Sequence, residues 1–211
     1  KFRRDSFSHG VSMNRLSPVD CGNLTPEQAE LYHSIASGPR AKKRKSLVDE
    51  HGNLTGPFNA FLHNPAFGKH WSQIGETLRF RPKLDRRLFE LAILVIAVHW
   101  RSGHEWAAHS ALARAEGVSD EVIDALLAGH RPVFAREDEQ IIYDFVHELT
   151  HERHVTDTAY AEAVALIGED QMVELVNACG YYIALAAMLN AFDVHPPKGL
   201  EDPWPRDPIG D

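Results

Sequence analysis

A chain of 211 residues, 44% hydrophobic and 25% charged with 14 glycines and 12 prolines, has the composition of one globular domain with a real core. That composition excludes a disordered, collagenous or low-complexity chain. Its 22 Lys and Arg against 30 Asp and Glu leave a net charge of -8, a field that repels polyanions and argues against a nucleic-acid partner.

Residues 1–15 are expected to be a flexible N-terminal segment, residues 16–195 a helical domain and residues 196–211 a proline-rich tail. Lys1 to Ser12 is basic without an apolar stretch and does not read as a secretory signal; the expectation is a natural start at Met13, with the preceding residues lying upstream of it. Thr25-Pro26-Glu27-Gln28 sets a capping box with proline at the first helical position, predicting a helix to Ala36, stopped by Ser37-Gly38-Pro39. The basic run Arg40 to Lys45 reads as solvated surface, and a loop-rich stretch leads through Gly52 and Gly56-Pro57. Asn64-Pro65 starts another helix with Phe67, Trp71, Ile74 and Leu78 at helical spacing, ended by Pro82.

From Asp85 a longer helix carries Leu88, Leu91, Ala92, Val95 and Ile96. It is apolar nearly all round from Leu91, which marks it as the centre of the core. The run Leu91 to Val98, closed by Glu90 and His99, is far short of the ~20 residues a membrane span needs, so no membrane segment is expected. Further helices are predicted from Ser102 to Ala115, from Ser119 to Ala128, along the stripe Ile141, Phe145, Leu149, from Thr156 to Gly168, and from Gln171 to Ala191. Period-two alternation is absent, so the class is all-α, a single-domain bundle of about eight helices. Cys21 and Cys179 match no ligand or redox spacing, which points to a reducing, cytoplasmic compartment.

The chemistry concentrates between Glu90 and His109. Ser102, Glu105 and His109 are spaced by three and four, so at about 100° per residue they share one helix face. That stripe presents a hydroxyl, a carboxylate and an imidazole. Glu90 lies on the buried preceding helix, where an ionised side chain is costly unless paired, and is expected to face the stripe. Burial would raise its pKa, or it would orient His109. A capping box made by Ser102 and Glu105 is the competing reading, and it leaves Glu90 and His109 unexplained. Trp100 and Trp106 flank the stripe and offer an apolar wall. His104 beside it and Tyr181 on the last helix are further candidates for touching substrate, with plain core packing the alternative for the aromatics.

Glu90, eleven residues, Ser102, two residues, Glu105, three residues, His109 resembles the alkylhydroperoxidase D and carboxymuconolactone decarboxylase superfamily, whose peroxidase branch carries Glu…Cys-x-x-Cys-x-x-x-His. The resemblance covers about Leu16 to Val194 and is most specific from Glu90 to His109. It implies an all-helical subunit of the alkylhydroperoxidase D-like type that assembles as trimers or hexamers. Here Ser102 and Glu105 stand where that branch has its cysteines, and neither offers a thiol oxidation ladder. The decarboxylase branch, which needs neither the cysteine pair nor a cofactor, is then the better guide. It implies a small carboxylate or lactone substrate, with Glu90, His109, Ser102 and Glu105 as catalytic residues and no cofactor. Isomerisation, lactone hydrolysis or dehydration on the same scaffold, or a non-catalytic helical oligomer, are the alternatives, and thiol peroxidase activity is disfavoured. No metal is expected: His104 and His109 are five apart, and the His147, His151, His154 face lies away from the apolar stripe of its helix.

Overall fold

The computed structural model describes residues 15–38, 41, 47–197 and 199–205. The expected start at Met13, most of the basic run Arg40 to Lys45, and the end of the tail lie outside the described residues. Among those described, eight α-helices form an all-α bundle: α1 (Pro26–Ala36), α2 (Pro57–His63), α3 (Pro65–Phe80), α4 (Arg86–His99), α5 (Gly103–Ala115), α6 (Asp120–Leu127), α7 (Glu137–His147) and α8 (Asp157–Ala191). The lone β feature there is an isolated antiparallel bridge between Val48 and Leu54.

Local chemistry sets the boundaries. Thr25 and Gln28 close the capping box of α1 in both directions, Asn64 Oδ1 accepts from Phe67 N at the start of α3, and Asp85 caps α4. Each cap satisfies amide groups that the first helical turn cannot. α4 is the centre, with every residue from Arg87 to Ala97 buried, and it packs against α5, α6, α7 and α8. A helix touched on all sides must be apolar all round, which explains the uninterrupted run from Leu91. One buried cross-link ties it to α7: Arg87 donates to Asp138 and to Glu139, each at 2.6 Å.

Four features depart from the sequence expectation. The stretch expected to be loop contains α2, seven residues entered from Gly56 and begun by Pro57. In α3, Leu78 is buried, but Phe67 and Ile74 of the same stripe face outward. α7 ends in a π-helical segment, Glu148–Glu152, before the left-handed Arg153. There the Thr150 hydroxyl donates to the Val146 carbonyl at 2.8 Å, and such back-bonding competes with the backbone ladder. Last, the two expected helices are both present in α8 but follow one another across a kink at Gly168 (φ 77°) without the short connecting loop expected between them, and only glycine adopts that conformation cheaply. By length and composition α8, rather than Leu91 to Val98, is the segment apolar enough to cross a membrane, but half of its most apolar window is buried inside the protein. It packs on α2, α3, α4 and α7 as a core helix.

Candidate active site

α4 and α5 lie side by side, joined by a tight turn in which Ser102 N–H donates to Ala97 O at 2.9 Å and Arg101 takes a left-handed φ of 47°. This turn brings Glu90 against His109, both with 0% exposure. His109 Nδ1 lies 2.6 Å from Glu90 Oε2, and Glu90 Oε1 accepts from Arg86 Nη2 at 2.6 Å. On the far side of the imidazole, Nε2 lies 2.7 Å from Arg79 Nη2 and 3.3 Å from Glu105 Oε2. Arg79 sits in the last turn of α3, and Tyr182 shares the cavity wall with it. The Tyr182 ring meets His109 edge-on at 5.1 Å.

These partners fix the tautomer. Arg79 can only donate, so His109 Nε2 accepts and the ring proton resides on Nδ1, donated to Glu90. A carboxylate beyond the far nitrogen orients the ring and stabilises the imidazolium that forms when Nε2 takes a proton. Burial pushes the Glu90 carboxyl up, but the attraction and hydrogen bond of His109, with Arg86 and Arg79, more than offset it, so Glu90 lies below its ordinary value. Glu105 follows the same pattern: burial raises it, and His109, His104 and Arg79 bring it net downward. Of the two expectations for Glu90, the structure selects orientation of His109 over a raised pKa. The Tyr182 phenol is pushed upward by burial and stays neutral.

His109 and Glu105 open onto a cavity of about 30 Å³, walled by Arg79, Phe58, His104, Tyr181 and Tyr182 among others, enough for one or two waters. Pro57, Phe58, His104 and Ala108 also wall a neighbouring cleft of about 360 Å³ that reaches Gly56, Pro197 and Leu200. The N-terminal end of α2 and the tail therefore shape the approach. Gly56 (φ 60°) is demanded twice over, since a Cβ there would stand 2.8 Å from His104 Cε1. The tail is pinned by His104 Nδ1 to His195 O at 2.9 Å and by Trp204 packed edge-on to Trp106 at 5.7 Å.

The structure thus gathers Glu105, His109, His104 and Tyr181 around one cavity, with Glu90 behind His109 and away from the cavity wall, and it does not bring Ser102, Trp100 or Trp106 there. Ser102 caps α5 by position only. Its Oγ is buried without a hydrogen-bond partner, and its N–H is taken by Ala97 O, so the capping box has no donor to complete it. Glu105 turns to His109 instead. Trp106 is held by the tail, and the Trp100 carbonyl accepts from Asn190. Sequence reasoning missed Arg79 and Arg86. Arg86 was readable from its i,i+4 spacing to Glu90, whereas nothing local marks Arg79, which reaches the site from a helix thirty residues away.

The second histidine group does not converge. His147 and His151 stack at 4.0 Å with His99 against His151 at 4.2 Å, while His154 lies exposed beyond Arg153. Among the described residues no group of three or more His, Cys, Asp or Glu is placed to hold a metal ion.

Residues 65–136, about a third of the chain, match the carboxymuconolactone decarboxylase family. Solved structures share the fold. One is the alkylhydroperoxidase AhpD core of an uncharacterized peroxidase-related protein from Ralstonia eutropha JMP134, with a TM-score of 0.69 at 11% identity over 90% of this chain and 96% of that one. Another, an uncharacterized peroxidase-related protein from Silicibacter sp. TM1040, gives 0.67 at 12% identity over 92% and 97%. A protein of unknown function from Agrobacterium tumefaciens, described as a putative antioxidant defence protein AhpD, gives 0.58 at 18% identity over 66% and 96%. No curated protein matches the chain.

Proposed function

We propose that the protein is a cofactor-independent acid–base enzyme, acting on a small carboxylated, lactone-like substrate with decarboxylation as the leading reaction. The observation that carries this reading is the buried Glu90–His109 pair at 2.6 Å, which leaves Nε2 as a proton-transfer atom at the cavity beside Glu105. In a decarboxylation the carbon–carboxylate bond breaks, carbon dioxide leaves, and its electron pair passes into an enolate. Nε2, after taking a proton from solvent, returns it to carbon. Exclusion of bulk water from so small a cavity favours loss of the carboxylate charge, and Arg79 in its wall supplies a cation for the anionic substrate.

The remaining cysteines support a thiol-independent reaction. Cys179 is fully buried with its thiol pushed up to about 12, and Cys21 lies apart, its Sγ donating to His51 O. Both thiols are free, in keeping with a cytoplasmic location. Isomerisation, lactone hydrolysis or dehydration would use the same proton shuttle, and a homo-oligomer is part of the proposal. The test incubates the protein with carboxymuconolactone-like acids and small lactones, following carbon dioxide release and product mass. Release abolished in His109→Ala is the expected result; turnover that survives both His109→Ala and Glu90→Gln would overturn these roles.

A further inference from the structure

His109 Nε2 has one lone pair and two suitors. Arg79 Nη2 donates to it at 2.7 Å, while Glu105 Oε2, at 3.3 Å from the same nitrogen, can only accept. In the tautomer set by Glu90 the imidazole base is therefore covered by a guanidinium, and Glu105 receives a hydrogen bond from His109 only when Nε2 carries a proton. We propose that Arg79 is a positioning residue acting as an anion-operated latch: it occupies Nε2 in the empty site, and the carboxylate of a small acid draws it away, freeing Nε2 for proton transfer.

Three features carry the proposal. Arg79 walls the cavity itself, so an anion entering from the larger cleft meets this cation. The side chain arises from the last turn of α3, one residue before the helix ends, and its long stem lets the guanidinium reach either His109 or a second acceptor in the same cavity. Planar forked donors also suit carboxylate better than they suit a single imidazole nitrogen, so exchange is favoured once the anion is desolvated. The titratable and charged groups facing His109 are Glu90 from α4, Arg79 from α3, Tyr182 from α8 and Glu105 on its own helix, with His104 beside Glu105. Of these, Arg79 is the one whose departure uncovers Nε2 while leaving Glu90 in place.

The latch deepens the acid–base reading and rests on it, yet its test needs no turnover. Imidazole nitrogens are followed by long-range proton–nitrogen correlation spectra in the wild type, Arg79→Lys and Arg79→Met, with propionate as probe and propionamide as its neutral isostere. The wild type should show His109 as the Nδ1–H tautomer, and propionate should shift its Nε2 signal saturably, at least tenfold more tightly than propionamide. Arg79→Met should lose the propionate response and move Nε2 toward a protonated signal as Glu105 takes its hydrogen bond; Arg79→Lys should keep a weakened response. Identical His109 signals in wild type and Arg79→Met, equal responses to propionate and propionamide, or an Nε2–H tautomer in the wild type would each overturn the latch. Should Arg79→Met fail to fold, the wild-type probe pair and Arg79→Lys decide alone. A normal propionate response without turnover of any lactone acid would sink the proposed reaction and leave the latch standing; turnover with no propionate response would do the reverse.

Discussion

Replacing Glu90 by Gln removes one charge from the centre of the protein while keeping the shape. Glu90 has 0% side-chain exposure and holds His109 Nδ1 and Arg86 Nη2, both at 2.6 Å. The charge-assisted bond to His109 should be worth about 1.5–3 kcal/mol. The Arg86 pair, with the arginine 30% exposed, should add only about 0.5 kcal/mol after screening. An amide can accept from Nδ1–H but then turns its NH₂ toward a guanidinium, so neither contact is fully replaced. The expected destabilisation is about 2–4 kcal/mol, or about 5–10 °C in Tm for a domain of this size. The pH dependence is diagnostic. Because the folded carboxyl lies below its ordinary value of 4.5, its contribution is fully present above the unfolded value and is lost as pH falls through the folded one. The Tm gap between wild type and Glu90→Gln should therefore be full at neutral pH and shrink steadily below about 4.5. Thermal melts from about pH 7 to about pH 3 measure it, and a gap that stays constant, or is under about 1 °C at neutral pH, would refute the reasoning.

Three further outcomes are expected. Arg87→Met should destabilise by about 3–5 kcal/mol in urea unfolding, because it strands the buried Glu139 carboxylate; a loss below about 1 kcal/mol would show that Glu139 finds another partner or takes up a proton. In Gly103→Ala the new Cβ would stand 2.1 Å from Asp202 Oδ1, so Asp202 must swing off, breaking its bond to Trp204 N; the cost should be only about 1 kcal/mol, with faster proteolysis of the tail and a changed tryptophan near-ultraviolet signal from the parted Trp106 and Trp204. With a thiol reagent the native protein should give one prompt equivalent from Cys21 and a second only on unfolding, since Cys179 is buried and its thiol is pushed up to about 12; two prompt equivalents would contradict the packing of α8.

Helix order was legible because its signals are local. Thr25, Asn64, Asp85, Ser119 and Thr156 each hydrogen-bond within three residues of themselves, so the boundary is written where it acts. The Glu90–His109 pairing was legible for a related reason: a buried carboxylate demands a partner, and one helix face offered an imidazole. What stayed hidden acts across the fold. Phe67 and Ile74 carry the periodicity of a core stripe, but outward exposure depends on what packs beside α3. Arg79 meets His109 from another helix, and Trp106 turns from the cavity because Trp204, almost a hundred residues on, covers it. Ser102 had the right residue type for a cap, but its Oγ accepts no amide, and the return half of the box is lost because the preceding turn commits the Ser102 N–H to Ala97 O.

Those hidden contacts also explain how a carboxylate can occupy position 105 at all. A side chain at 4% exposure would ordinarily shed its charge, yet Glu105 lies below its ordinary value because His109, His104 and Arg79 surround it. Glu90 is held ionised in turn by His109 and Arg86. Two carboxylates flank one imidazole, and two guanidiniums balance them, one at each end of the chain Arg86–Glu90–His109–Arg79. Counted with Glu105, the group is neutral overall while His109 is neutral, and it gains a charge when Nε2 takes a proton, with both carboxylates placed to stabilise that gain. The same arithmetic makes Arg79 the sensitive member. Its guanidinium occupies the nitrogen that proton transfer needs, so in the proposed latch a carboxylate that draws Arg79 away is bound and uncovers Nε2 in one movement. Anion binding and access to the base are then coupled through one side chain, and Arg79→Lys should weaken that coupling before it weakens the fold.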